Sequence, residues 1–169
     1  MKAKTKDVKL RPIRLADAPR YVKWLNDPEI TRFLSRSPGI TLAEEKAWIR
    51  NAKKDKSKKV FAITYRGRHI GSVSLDHLVK SYKKASFGIF IGEQKFQNMG
   101  IGTIATRKIL AYGFNALKLH KISLQVMPKN KQAIKVYRRL GFRREGYLKD
   151  EIVKKSKYRD IILMAKIKK

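Results

Sequence analysis

The sequence predicts an α/β (α+β) fold of seven strands and four helices in one domain, residues 1–169. Three observations carry that expectation. A chain of 169 residues with 43% hydrophobic side chains can bury one sizeable core. Apolar residues recur at helical spacing in some segments and alternate in others, so both element types are present. The segments follow in the order strand, two helices, three strands, helix, strand, helix, two strands.

Val8-Lys9-Leu10-Arg11-Pro12-Ile13 reads as the first strand. Asp17 is placed to cap a helix carrying Tyr21, Val22, Trp24 and Leu25, which Asn26-Asp27-Pro28 breaks. Thr41-Leu42-Ala43-Glu44 has the spacing of a capping box, so a second helix starts there and runs to about Ala52. Val60 to Tyr65 and His69 to Leu78 are strands joined by a tight Arg66-Gly67-Arg68 turn, and Ser86 to Ile91 is the next. Ile101, Ile104, Ala105, Ile109, Tyr112 and Ala116 repeat at helical spacing and define one buried face. Lys121 to Met127 alternates as a strand should, and a helix follows from Asn130. Strands at Phe142 to Tyr147 and Tyr158 to Ile167 close the chain, and the charged stretch Lys149 to Lys157 between them is expected to be a mobile loop.

Two stretches carry chemistry. Gln97-Asn98-Met99-Gly100-Ile101-Gly102-Thr103 sits at a strand-to-helix turn. Two glycines there admit a ligand close to the backbone, and the free amides of the helix's first turn point at it, which makes a pyrophosphate cradle. Neither common nucleotide fingerprint fits: the third glycine of GxGxxG would fall at Ala105, and no Gly-Lys-Ser/Thr follows. Downstream, Asn130-Lys131-Gln132-Ala133 leads into Tyr137-Arg138-Arg139-Leu140-Gly141-Phe142. The Gln-x-x-Gly-x-Gly loop resembles the acyl-CoA loop of the GNAT superfamily of N-acetyltransferases, and Asn-x-x-Ala-x-x-x-Tyr-x-x-x-Gly-Phe resembles its second signature. Trp24-Leu25-Asn26-Asp27-Pro28-Glu29 and Tyr158-Arg159-Asp160 are similar to the branch that includes the ribosomal-protein N-acetyltransferases.

The resemblance implies a mixed, mostly antiparallel seven-stranded sheet with helices on both faces and a splayed central strand pair. It implies acetyl-CoA as acetyl donor, bound with its pantetheine arm along the main chain of Ile89, Phe90 and Ile91 and its pyrophosphate on Gln97 to Thr103. Asn130 matches the position that supports the pantetheine arm, and is also a natural helix cap. Lys95, Arg107, Lys129 and Lys131 are within sequence reach for the adenosine 3′-phosphate. Tyr137 matches the general acid that protonates the departing thiolate, although Ala133, Tyr137 and Leu140 share a helical face and packing alone would also account for a tyrosine there. Many family members carry an acid where this chain has Ser86. Glu93, just beyond that strand, is then the candidate base, and Asp27 and Glu29 are the candidate acceptor-binding residues.

Composition narrows the rest. No apolar run approaches the ~20 residues that span a bilayer, and Met1-Lys2-Ala3-Lys4 is not followed by a signal-peptide core, so a cytoplasmic protein is expected. Zero cysteines exclude disulfides, thiolate metal sites and a cysteine acyl-enzyme, which favours direct transfer in a ternary complex. His69, His77 and His120 lack metal-ligand spacing and read as structural, so no metal is expected. With 42 Lys+Arg against 13 Asp+Glu, net +29, the surface should attract polyanions nonspecifically, and a protein N-terminus or an amino sugar is the expected acceptor. The alternatives are a ribosome- or nucleic-acid-associated binding protein and a CoA-binding regulatory domain on the same fold. The oligomeric state is not readable from the sequence.

Overall fold

The computed structural model describes residues 2–35 and 38–168. Its strands are β1 (Val8–Pro12), β2 (Lys59–Tyr65), β3 (Arg68–Val79), β4 (Lys84–Ile91), β5 (Lys121–Val126), β6 (Arg143–Lys154) and β7 (Lys157–Ile167). Its helices are α1 (Ala18–Leu25), the single turn α2 (Pro28–Thr31), α3 (Leu42–Lys54), α4 (Ile101–Ala111) and α5 (Lys131–Arg139). The strands form one sheet in the order β1-β2-β3-β4-β5-β7-β6, antiparallel at every pairing except β4 with β5. The mixed, mostly antiparallel seven-stranded sheet is therefore as expected. One core lies where α4 covers the sheet, with Ile63, Ile70, Leu75, Ile101, Ala105, Ile109, Ile122 and Phe142 all buried. A second, smaller core joins α1 to α3 through Tyr21, Leu25 and Ile49.

Local chemistry sets the boundaries. The Thr41 hydroxyl accepts from the Glu44 amide while the Glu44 carboxylate takes the Thr41 amide at 2.8 Å, closing the capping box at the start of α3. Asp17 behaves otherwise than expected. It stands before α1, but its carboxylate turns inward to accept both terminal nitrogens of Arg11, at 2.8 and 2.6 Å, and the Arg14 amide at 2.8 Å. Burial alone would raise this carboxyl, but these hydrogen bonds and the neighbouring Arg11 and His69 charges hold it below the ordinary range. The buried ion pair outcompetes the cap because a carboxylate removed from water needs full pairing.

Two further expectations change. Ala116 is exposed, because α4 ends at Ala111 and a π-helical turn, Tyr112–Ala116, rotates Gly113 and Phe114 inward in its place. The stretch Lys149 to Lys157 is not a loop. β6 continues to Lys154 and returns through Lys155 and Ser156, both at positive φ (50° and 56°), as a tight hairpin requires. Asp160 fastens this hairpin by accepting from the Tyr147 hydroxyl and, at 2.9 Å, from the Asp150 amide. The Lys154 ammonium reaches across to donate to the carbonyls of Thr31, at 2.6 Å, and Leu34.

Gly92, at the end of β4, shows how closely α1 approaches the sheet. A Cβ there would lie 2.1 Å from the indole of Trp24, which is itself held by His69, Tyr21 and Phe90. A rigid ring cannot swing aside as a flexible chain end can, so Gly92→Ala should cost about 1–3 kcal/mol of stability, read as a shift in the urea midpoint. A variant melting with the wild type would show that α1 is free to slide.

Candidate active site

Strands β4 and β5 are paired over Lys84↔Lys121, Ala85↔Ile122 and Ser86↔Ser123 only. From Phe87 onward β4 keeps its pairing to β3 while β5 stays with β7, so the side of β4 that faces β5 opens. Backbone amides and carbonyls left without a ladder partner must find one elsewhere, and an extended polar ligand can supply it. Tyr137 packs edge-on to Phe87 (5.9 Å) and against Phe142 (5.8 Å), filling the space below the parted strands.

A cavity of about 370 Å³ runs along this opening, lined by Ile89, Phe90, Ile91, Gln97, Asn98, Gly100, Ile101, Gly102, Thr103, Asn130 and Tyr137. The structure thus gathers ten of the eleven expected donor-binding residues, together with Tyr137. Met99 is the exception: its side chain packs on the core and its carbonyl accepts from the Ala3 amide at 2.8 Å. Phe96, Thr106, Gln132 and Val136, which no motif spacing marks, also line the cavity, as does Ala133, the alanine of the second signature. Gln132 could have been found as the hydrogen-bond partner of an exposed loop, for its amide donates to Asn98 at 2.5 Å.

The glycine loop is built for an anion. Asn98 and Gly100 both take positive φ (60° and 80°), and Gly100 caps α4 with no side chain bonded to the first-turn amides. A Cβ at Gly100 or Gly102 would meet nothing within 4 Å, so the space in front of those amides is open. The residues therefore fit the diphosphate of acetyl-CoA. Gln97 donates to the Ile91 carbonyl at 3.0 Å, tying the loop to the end of β4. Asn130 does cap α5, accepting from the Ala133 amide at 3.3 Å, while facing the same cavity. None of Lys95, Arg107, Lys129 and Lys131 lines it, and Lys95 instead lies over the Phe96 ring at 5.2 Å.

Burial pushes the Tyr137 phenol up to about 12, and among the described residues its hydroxyl has no hydrogen-bond partner. It is protonated at neutral pH and free to donate to a ligand.

Two more cavities reach the same point from the other side. One, about 480 Å³, is lined by Leu34, Lys58, Asp76, His77, Ser86, Ser123, Asn130 and Tyr137 among others. The other, about 210 Å³, lies between α1, α3 and the sheet, and its wall holds Tyr21, Trp48, Glu45, Ser74 and Asp76. Ile89 lines all three. A larger cavity of about 670 Å³ under the β6–β7 hairpin includes neither Ile89 nor the glycine loop.

The expected base and acceptor residues are not at this junction. Glu93 pairs with Arg68 at 3.1 Å and lines none of the four cavities. Asp27 is a helix cap, accepting from the Glu29 amide at 2.9 Å, and the exposed Glu29 lies 3.7 Å from Arg32. His69 is buried between Asp17 (3.2 Å) and the Gly71 carbonyl (3.0 Å). No cluster of three or more His, Asp or Glu suited to a metal ion, and no helix long and apolar enough to cross a membrane, occurs among the described residues. Glu45 and Asp76 are the acids that the fold does bring to the junction, and the sequence carried no spacing that singled them out.

Residues 7–143 match the family model described as an acetyltransferase (GNAT) domain. A spermidine N(1)-acetyltransferase of Escherichia coli K12 is 34% identical over 158 residues, spanning 93% of this chain and 84% of that protein. The acetyltransferase PseH of Campylobacter jejuni is 28% identical over 120 residues, 71% of this chain and 73% of its own. The crystal structure of a Vibrio cholerae spermidine N-acetyltransferase in complex with CoA and spermine superposes with a TM-score of 0.90 at 25% identity, covering 96% of both chains.

Gly102 gives the cleanest probe of the cradle, because it is helical and not at positive φ. Gly102→Val should leave the fold intact, since a side chain is tolerated there, and should weaken acetyl-CoA binding by at least about tenfold by occupying the diphosphate space. Isothermal titration reads the affinity, and wild-type binding in the variant would remove the diphosphate from this loop.

Proposed function

The chain belongs to the GNAT acetyltransferase family and is an acetyl-CoA-dependent N-acetyltransferase; we propose that its acceptor is a primary amine of an aliphatic polycation of the spermidine type. One observation carries the reading. The donor cavity and two acid-bearing cavities meet at Ile89, so a thioester laid along β4 faces a cleft whose wall includes Asp76 and the buried acid Glu45. The spermidine acetyltransferases among its relatives support a polycation in kind.

Net charge alone favoured a protein N-terminus or an amino sugar. The +29 surface slows the approach of a cation, but the affinity of a bound amine is decided by the groups it touches. Trp48 and Tyr21, in the wall beside Glu45, give the methylene chain an apolar surface. The site is suited to an amine that carries a second positive charge, and a phosphate-bearing amino sugar would set its anion against both carboxylates. The cytoplasm is the compartment in which acetyl-CoA and such amines meet, and nonspecific contact with polyanions is a secondary property of the surface.

In the reaction, the main chain of Phe87 to Ile91 orients the pantetheine arm and the amides at the start of α4 hold the diphosphate. The amine attacks the thioester carbonyl from the acid-bearing side. Tyr137 protonates the thiolate as the carbon–sulfur bond breaks. A free phenol at the junction of the cavities favours catalysis over a purely regulatory CoA-binding role.

Tyr137→Phe keeps the ring packed on Phe87 and Phe142 and removes the proton, so kcat should fall by about 100-fold with little change in acetyl-CoA affinity. Because burial raises the phenol to about 12, it keeps its proton through the alkaline range, and wild-type kcat should show no decline between pH ~8 and ~10 from this group. A falling limb in that range that vanishes in Tyr137→Phe would contradict the raised value, and the role itself is overturned by an undiminished kcat in Tyr137→Phe.

The acceptor assignment is tested by thiol release with spermidine, glucosamine 6-phosphate and a peptide N-terminus. Spermidine should lead in kcat/KM by about tenfold or more, and Glu45→Gln should raise its KM by about tenfold, the loss of one charge-assisted contact. Equal efficiency with the anionic amine would refute a cation-selecting cleft.

A further inference from the structure

The amine reaches the site as an ammonium and must lose a proton before it can attack, a step for which neither Tyr137 nor Glu93 is available. We propose that Asp76, on β3, takes that proton. The assignment rests on the proposed transfer to an amine and adds to it the group that makes the nitrogen nucleophilic.

The argument is one of register and access. In the β3–β4 ladder Asp76 stands directly opposite Ser86, and Ser86 stands beside Ser123 on β5. Directly opposed residues project to the same face with Cβ atoms ~5 Å apart, so Asp76 presents its carboxylate over the last residue of β4 before the strands part. Among the described residues it is the one acid in the wall of the cavity that also contains Tyr137, and it lines the smaller cavity beside Glu45 as well. The Ser74 hydroxyl donates to Asp76 Oδ2 at 2.5 Å and fixes the carboxylate, while Oδ1 has no hydrogen-bond partner among the described residues. A fixed carboxylate with one free oxygen, between the acceptor cleft and the phenol, is what proton abstraction from a bound ammonium requires.

The other groups facing this space are less well placed. Lys58 is a cation. His77 is exposed, at φ 50° where β3 and β4 lose register, and it does not line the smaller cavity. Glu45 and Tyr21 line the smaller cavity but not the one shared with Tyr137.

The step balances. Asp76 accepts one proton from the ammonium, the neutral nitrogen attacks, and a second proton leaves nitrogen as the carbon–nitrogen bond is completed. The carbon–sulfur electrons go to sulfur, which takes the Tyr137 proton. One of the two released protons restores Tyr137 and the other passes from Asp76 to solvent, giving amide, CoA thiol and one proton.

The test uses the whole chain, acetyl-CoA and spermidine, with acetyl-CoA affinity measured separately by calorimetry. Asp76→Asn should bind acetyl-CoA normally and lose about 100-fold in kcat near neutral pH. That deficit should narrow to within about threefold as the pH nears the amine's own pKa of ~10, where solvent does the deprotonation. Adding Ser86→Glu to Asp76→Asn should restore at least about tenfold, by returning a carboxylate to the opposite position of the same register pair. A change in KM alone, a deficit that stays constant with pH, or loss of the amine's proton dependence in His77→Gln instead would each overturn the assignment. Wild-type thiol release with any amine upholds the reading beneath it, whatever the variants show; a wild type that binds acetyl-CoA and acetylates no amine would overturn both.

Discussion

Strands β4 and β5 share three residue pairs and then part, and nearly every feature of the site depends on that divergence. A buried main-chain amide or carbonyl without a partner costs about 1–3 kcal/mol, so an opened ladder is stable only where something polar can enter it. The molecule keeps the opening from collapsing in two ways. Tyr137, Phe87 and Phe142 fill the apolar side with ring edges and faces at about 6 Å, and β5 remains committed to β7 along its whole length. The main chain exposed along this edge of β4 depends little on which side chains the strand carries.

Recognition on the other side is of a different kind. Glu45 comes from α3 and is brought toward Ile89 by the packing of α1 and α3 on the sheet, where it meets Asp76, which β3 places by its register with β4. That packing rests on the Asp17 knot with Arg11 and His69 and on the bare backbone of Gly92 beneath Trp24. The first cavity is thus local to one strand and one loop, while the acid-bearing cavities depend on how two layers meet.

The same division explains what could be read from the sequence. The glycine loop, Asn130 and Tyr137 were legible because the chemistry there is written in contiguous spacing, with left-handed backbone and a helix start enforcing glycine and asparagine. The placement of Asp76 was not, because it stands opposite Ser86, and register is a relation between strands that no single segment records. Glu93 is the acid nearest in sequence to the end of β4, but it pairs with Arg68. The run from Lys149 to Lys157 was read as a loop since its charges hide the period of a strand. What makes it a hairpin is the positive φ of Lys155 and Ser156 and the anchoring carboxylate of Asp160, neither of which depends on an apolar pattern. Asp17 and Ala116 were misplaced by local rules that a buried ion pair and a π-turn override.

The Lys154 ammonium, donating to the carbonyls of Thr31 and Leu34, joins the far hairpin to the segment that walls the two acid-bearing cavities. A single cationic tether of this kind is a hinge pin in the mechanical sense: the wall it holds is shaped from a position more than 100 residues away in sequence. The length of the cleft could therefore change through the hairpin, by altering the reach of one side chain, while the glycine loop and the open edge of β4 stay as they are.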